Sequence, residues 1–393
     1  MRLEFVSSLQ SVDPHAWDHL WPDYPFTRHA FLLALELSGA TSAETGWLPK
    51  HCLAWEGDRL VGAIPLYLKS HSYGEYVFDW GWAQAYERAG GHYYPKLLSA
   101  IPFTPATGPR WAVSTELSSE RQTDIYAAFW RMLKQQLDTE GLSGFHCLFP
   151  QGVQVFPEEA PLLTRLDCQY HWLNQGYDSF ATYLAHFASR KRKNLIRERN
   201  RVAEQGLRVE MTEGAALAAE DWRHFYQLYR RTYWKRSGHD GYLNEAFFLR
   251  IGAAMPDQIL MARGFLDKEW VAAALYFKDD DTLYGRYWGC IEEFDALHFE
   301  CCYYQGIEYA IAKGLQRFDP GAQGEHKIAR GFTPLLTRSL HYLTDPQFTQ
   351  AVARFLMRER EQVDEYCLEA RQQLPFRSDF MPVGPDWLLK SGN

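Results

Sequence analysis

Glu300 sits on an apolar stripe. In "ALHFECCYYQGIEYAIAKG" (296–314), Ala296, Glu300, Tyr304, Ile307 and Ile311 follow at steps of 4, 4, 3 and 4. Those steps mark one face of a helix, which Gly314 ends. A carboxylate on a face turned toward a sheet loses solvent, and desolvation lifts its pKa toward that of a general base. The same place equally suits a buried glutamate paired with an arginine such as Arg286 on the preceding strand. Just downstream, "GAQGEHKIARG" (321–331) crowds three glycines, an acid and three basic side chains into one loop. Gly321 and Gly324 allow close backbone approach and positive φ. Lys327 and Arg330, three apart, suit one shared anion, and His326 suits proton transfer near neutral pH. Alternatively, Asp319, Glu325, Lys327 and Arg330 pair among themselves.

A third feature is "SRKRKNLIRERNRV" (189–202), where seven of the twelve residues from Arg190 to Arg201 are basic and only Glu198 is acidic. On a helix, Leu195, Arg199 and Val202 share one side, which can pack while the other presents charge. Arg190, Lys191, Arg192, Lys193 and Arg197 then form a candidate site for a polyanion such as nucleic acid, nucleotide or lipid pyrophosphate. A solvated helix face is the alternative use of such a run. HExxH, paired CxxC, GxSxG and GxGxxG patterns are missing, which argues against metalloprotease, zinc, esterase and dinucleotide-binding chemistry, and no metal is assigned.

The elements that must hold these residues repeat. "HCLAWEGDRLVGAIPLYLKS" (51–70) and "QILMARGFLDKEWVAAALYFKDDDTLYGRYWGC" (258–290) both read as strand, tight turn, strand. At an offset of about 210, Tyr93-Tyr94 meets Tyr303-Tyr304 and Ala100-Ile101 meets Ala310-Ile311, which points to an internal duplication. On that alignment Gly90 takes the place of Glu300, so the second half is the half suited to chemistry. The chain of 393 residues is long enough for two domains. The reading is 1–170, then 171–345 with the active site, then a helical extension over 346–393. Asp178 or Ser179 caps the helix that opens the second copy. Each copy mixes helices with a short antiparallel meander, an α/β (α+β) pattern with helices on a central sheet.

Composition sets outer limits. A net charge of −8 argues against a protein dedicated to coating nucleic acid. Seven cysteines, an odd number without CxxC spacing, fit free thiols in a reducing compartment. No apolar run long enough to span a membrane occurs, so a cytoplasmic location is expected, with a lipid at the membrane surface left open as a substrate. Nothing in the sequence sets the oligomeric state.

Three stretches carry a family resemblance: "YYPKLLSAIPFTPATGPR" (93–110), "LHFECCYYQGIEYAI" (297–311) and "FDPGAQGEHKIARGFTP" (318–334). With them the chain resembles the FemAB-like peptidoglycan biosynthesis/recognition proteins of the GNAT acyltransferase superfamily. The basic run resembles the segment that opens the second domain of Fem-type transferases. The resemblance implies tandem duplicated GNAT-like domains, each a mixed sheet flanked by helices, plus a C-terminal helix. It implies transfer of an amino acid from aminoacyl-tRNA to the amine of a cell-wall precursor peptide, a small-molecule or peptide acceptor. Glu300 and His326 become the catalytic candidates. Arg286, Tyr303, Tyr304, Gln305, Gly321, Gln323, Gly324, Lys327 and Arg330 become the substrate contacts.

One departure bears on the donor. GNAT enzymes hold the acetyl-CoA pyrophosphate on a Gln/Arg-x-x-Gly-x-Gly/Ala loop, whereas "GCIEEFDAL" (289–297) is acidic at that connection. No cofactor is certain from the sequence, and acetyl-CoA is the less favoured donor. The alternatives are a CoA-dependent N-acetyltransferase of a small amine and an inactive ligand-binding module of the same fold.

Overall fold

The computed structural model describes residues 1–151, 161–322 and 324–384. Two compact units emerge: Met1–Asp167 with Thr337–Asp364, and Cys168–Leu336 with Glu365–Asn393. The chain passes from unit to unit inside the strands Leu163–Leu173 and Thr333–Leu343, and again inside the helix Pro346–Gln372. The boundaries therefore differ from the expected 170 and 345. No flexible linker composition marks them, because each lies within regular structure.

In the second unit the strand order is Leu207–Glu213, Ile259–Leu266, Glu269–Lys278, Thr282–Cys290, Arg317–Asp319, Leu163–Leu173. The first four strands pair antiparallel. Thr282–Cys290 then pairs in parallel with Arg317–Asp319 over three residues only, Thr282 to Arg317, Leu283 to Phe318 and Tyr284 to Asp319. Beyond Tyr284 the ladder stops. The connection between these strands is helical, as the stripe predicts: Leu297–Phe299 and Gln305–Lys313 are α, with a π turn over Glu300–Tyr304 between them. Ala296, Glu300, Tyr304, Ile307 and Ile311 are all buried. Gly314 closes the helix at φ +71°. Full burial of an Ile, Leu or Phe contributes about 1.5–3 kcal/mol, so Ile307 and Phe318 anchor this helix to its sheet.

The first unit holds a four-stranded antiparallel sheet, Arg2–Val6, His51–Glu56, Arg59–Ile64, Ala112–Val113. A second run of strands follows the order Thr333–Leu343, Gly144–Leu148, Lys96–Ser99, Tyr67–Lys69, Trp47–Pro49. Helix Ser119–Glu140 starts where the Ser118 side chain accepts from Arg121 N–H and stops at Gly141, φ +63°. It buries Ile125, Phe129, Leu133 and Leu137 against the sheet core. Both units thus join β-sheets to flanking helices, the α/β (α+β) pattern expected from the sequence.

The duplication is real in the first hairpin and interrupted after it. A register shift follows Ala54 in one unit and Gly264 in the other, and the pairs Trp55–Leu60 and Phe265–Trp270 match at an offset of 210. Past Ile64 the first unit inserts the strands Tyr67–Lys69 and Lys96–Ser99 and the helix Trp80–Arg88. The helix-ending glycines, Gly141 and Gly314, then match at an offset of 173. The matches of Tyr93-Tyr94 and Ala100-Ile101 to Tyr303-Tyr304 and Ala310-Ile311 are therefore coincidental, since Lys96–Ser99 is strand where Gln305–Lys313 is helix. At the corrected offset the first-unit counterpart of Glu300 lies at Ala127, not Gly90.

Candidate active site

The second unit brings the expected residues together, with partners other than those expected. Glu300 is buried, and its partner is Arg199 rather than Arg286. Arg199 Nη2 donates to Glu300 Oε1 at 2.7 Å and Nε to Oε2 at 3.0 Å, while Gln305 Nε2 reaches Oε1 at 2.7 Å. Arg199 also grips Glu308 at 2.7 Å. Both oxygens of Glu300 are thus occupied, the arginine-paired arrangement that the sequence offers as its alternative. Arg199 belongs to the helix Ser189–Glu204 and shares its packed side with Leu195 and Val202, both buried. That 195–199–202 spacing was the sequence signal for a packing arginine.

Neighbouring Glu198 performs the same office toward the loop. It accepts from Arg330 Nη2 at 2.8 Å and from the Tyr304 hydroxyl. Arg330 also donates to His326 O at 2.7 Å and lies 3.4 Å over the Phe299 ring. Arg286 and Asp319 form a buried pair at 2.8 Å, each side chain about 1% exposed. Gly321 N–H donates to Asp319 Oδ1 at 2.9 Å. Lys327 Nζ donates to Gly321 O at 2.6 Å, bracing the loop across its own turn. Lys327 and Arg330 therefore do not converge on one point for an anion. Gly324, at φ +109°, is required by shape: a Cβ there would lie 2.4 Å from the His326 ring. Gln323 lies outside the described residues.

Two groups keep chemistry available. His326 Nε2 is 2.8 Å from the Tyr303 hydroxyl, and burial with Arg330 and Lys327 nearby pushes its pKa down to about 4. Burial lowers Lys327 to about 7, with the Arg286 charge adding to the effect and Asp319 opposing it. At neutral pH, then, the imidazole is neutral and the amine is near its midpoint. Burial raises the Cys301 and Cys302 thiols, so neither is an activated nucleophile.

A cleft of about 490 Å³ opens at the end of the strand Thr282–Cys290, between the helix Ala219–Ser237 and residues 290–299. Arg231, Arg236, Trp288, Glu292 and Phe299 line it. No described residue of the 321–331 loop lines this cleft. Instead the loop backs its wall: the His326 ring centre is 5.7 Å from Phe299 and 6.3 Å from His298. Burial, with His326 and Arg236 nearby, pushes His298 down to about 3.

The basic run is helical from Ser189 to Glu204, with no side-chain N-cap and no acid in its first turn. Arg190, Lys191, Lys193 and Arg197 are exposed and Arg192 is half-buried. None of the five side chains has a hydrogen-bond or ion-pair partner among the described residues. Four cations at a helix N-terminus oppose the helix dipole, so local stability does not explain their presence.

Among solved structures the chain is similar to FemX, with 12% identity, 90% of this chain and 100% of that one covered, and a TM-score of 0.46. A tandem GNAT protein from the clavulanic acid biosynthesis pathway gives 10% identity, 88% and 99% coverage and a TM-score of 0.41. L-PGS from Bacillus licheniformis gives 10%, 82% and 95%, and 0.47. No curated protein sequence matches the chain. No helix among the described residues is long and apolar enough to cross a membrane. The profile of the FemAB-like family, described as peptidoglycan biosynthesis/recognition, matches residues 8–378. The chain belongs to that family.

Proposed function

We propose that the protein is an acyltransferase of FemAB-like type that forms an amide on an amine acceptor, taking its acyl group from a polyanionic carrier such as aminoacyl-tRNA. Family membership supports the transferase class. The observation that carries the donor assignment is the set of five cations, Arg190, Lys191, Arg192, Lys193 and Arg197, whose side chains have no partner among the described residues, on a helix anchored to the site by Glu198 and Arg199. A phosphate backbone is the ligand such a cluster holds best. Acetyl-CoA fits less well, because the connection that the GNAT resemblance assigns to its pyrophosphate carries Glu292, Glu293 and Asp295.

Amide formation needs an acceptor amine without its extra proton and a proton for the leaving hydroxyl. The neutral His326, hydrogen-bonded to Tyr303, is assigned as the group that relays that proton. Glu300 is assigned as a positioning residue, since its charge fixes Arg199 and with it the basic helix. Lys327 braces the loop that carries His326. A peptide amine, such as that of a peptidoglycan precursor, is the acceptor class, with an amine-bearing lipid headgroup as the second.

The test is direct. The purified chain is incubated with aminoacyl-tRNA and a muropeptide precursor, and the product is sought by mass spectrometry. A new amide requiring both reactants is the expected result. Product from acetyl-CoA instead, or none with any donor that binds, would refute this reading.

A further inference from the structure

The first unit contains a chain of buried polar groups that the amide-forming reading does not use. His146 and His341 are register partners on the antiparallel strands Gly144–Leu148 and Thr333–Leu343. Their Nδ1 atoms lie 2.7 Å apart, a separation at which two ring nitrogens share one proton. His341 Nε2 lies 2.8 Å from Ser339 Oγ. Ser339 and His341 are two apart on one strand and so face the same side. Ser339 is 3% exposed, and each histidine 1%. With the shared proton on His341 Nδ1, His341 Nε2 is bare and accepts from the serine hydroxyl.

Ser339 is not sealed in. It lines a pocket of about 230 Å³ with Phe78, Phe149, Arg165, Thr337 and Glu359. Phe149 in that wall has φ +53°, a left-handed conformation that an aromatic residue rarely adopts. Backbone strain of this kind collects at reactive sites. On the far side, His146 Nε2 and Asp79 Oδ1 are buried without a hydrogen-bond partner among the described residues. Burial and the Lys96 charge push His146 down to about 3, with the Asp79 carboxylate, which Lys96 Nζ holds ionised at 2.5 Å, opposing them.

We propose that Ser339 is a second reactive centre, a nucleophile activated by His341 and His146 that accepts an acyl group from an activated carboxylic ester. Ser339 Oγ attacks the ester carbonyl carbon and forms the new C–O bond, while its proton passes to His341 Nε2. The old C–O bond breaks, and the leaving alcohol departs with that proton. The products are an ester on Ser339 and the free alcohol. Water or an amine then attacks the ester, takes the acyl group and restores the hydroxyl. Burial and the neighbouring His146 keep His341 well below the usual histidine range, so at rest it is neutral, and the 2.8 Å contact leaves its Nε2 as the acceptor beside the serine hydroxyl.

The proposal stands apart from the second unit, so it survives or fails independently of the amide-forming reading. The full-length chain is incubated with p-nitrophenyl acetate, p-nitrophenolate release is followed, and the adduct is mapped by peptide mass spectrometry. The expected result is a hydroxylamine-sensitive acetyl group on Ser339. Ser339→Ala should lack it, and His341→Gln should form it about 100-fold more slowly. A merely structural His341 would leave the labelling rate of the folded variant unchanged, which would overturn the activation step. No acetyl group on Ser339 of the unaltered protein overturns the whole proposal, whatever the variants do.

Discussion

Asp319 and Arg286 form a buried ion pair in the second unit. Each is almost fully buried, so removing one partner strands the other charge in a low dielectric. Asp319→Ala should cost about 3–5 kcal/mol in urea denaturation, while Asp319→Ala with Arg286→Met should cost clearly less. Equal losses would mean that the pair is not coupled. Lys327 gives a pH signature. Burial lowers its pKa to about 7 from the ordinary lysine value near 10.4, so between these limits the unfolded chain binds a proton that the folded chain does not. Stability from this group therefore rises with pH across that window, and below about 7 the full cost of burying the charge remains. Relative to Lys327→Met, the unaltered protein should gain stability from pH 7 to about 9.5, and a flat difference would contradict the assignment. Sequence spacing disclosed that Glu300 is buried and that the loop is rich in charge. It could not disclose the partners, because the Arg199–Glu300 contact joins residues 101 positions apart. Glu300→Gln should accordingly raise KM for the polyanionic donor with little change in kcat. A fall in kcat of about 10²–10⁴ at unchanged KM would restore the general base role.

At the scale of elements, the basic helix is built against its own local interest. Four cations crowd its first five residues, where the helix dipole favours acids, and its N-cap position holds Ala188. Replacing Arg190, Lys191, Arg192 and Lys193 by glutamine should weaken RNA binding and flatten its salt dependence, since fewer counterions are released. The same change should leave the melting temperature unchanged or slightly raised. Unaltered RNA affinity and salt slope would return the run to a solvated helix face. Glycine caps, the Ser179 cap and the buried stripe were legible because they depend on neighbours along the chain. Ser179 does accept from Thr182 N–H. The duplication was legible only as far as the repeated hairpin. The insertion after Ile64 shifts the offset from 210 to 173, and identical dipeptides at a fixed spacing cannot show that one lies before a strand and the other in a helix.

The whole molecule is discontinuous in sequence, and this too has a testable consequence. The first unit is not complete at residue 170: it regains Thr337–Asp364 from the far end of the chain. That return supplies a strand paired with Gly144–Leu148 from Ser339↔Leu148 to Leu343↔Gly144. It also supplies Leu340 to the core around Phe129 and Phe145, and Leu343, Val352 and Leu356 to the cluster around Trp82 and Tyr93. Four buried aliphatic side chains at about 1.5–3 kcal/mol each amount to as much as a typical domain's entire net stability. Cutting after residue 170 would also bare the edge of Gly144–Leu148, a ready template for aggregation. A fragment of residues 1–170 should therefore be insoluble or melt without cooperativity, despite containing most of the unit. The same fragment joined through a flexible Gly/Ser linker to residues 333–364 should be soluble and unfold in one transition. A sharp calorimetric transition from residues 1–170 alone would show instead that the N-terminal half folds without the returning strand, and that the original boundary near 170 was the physical one.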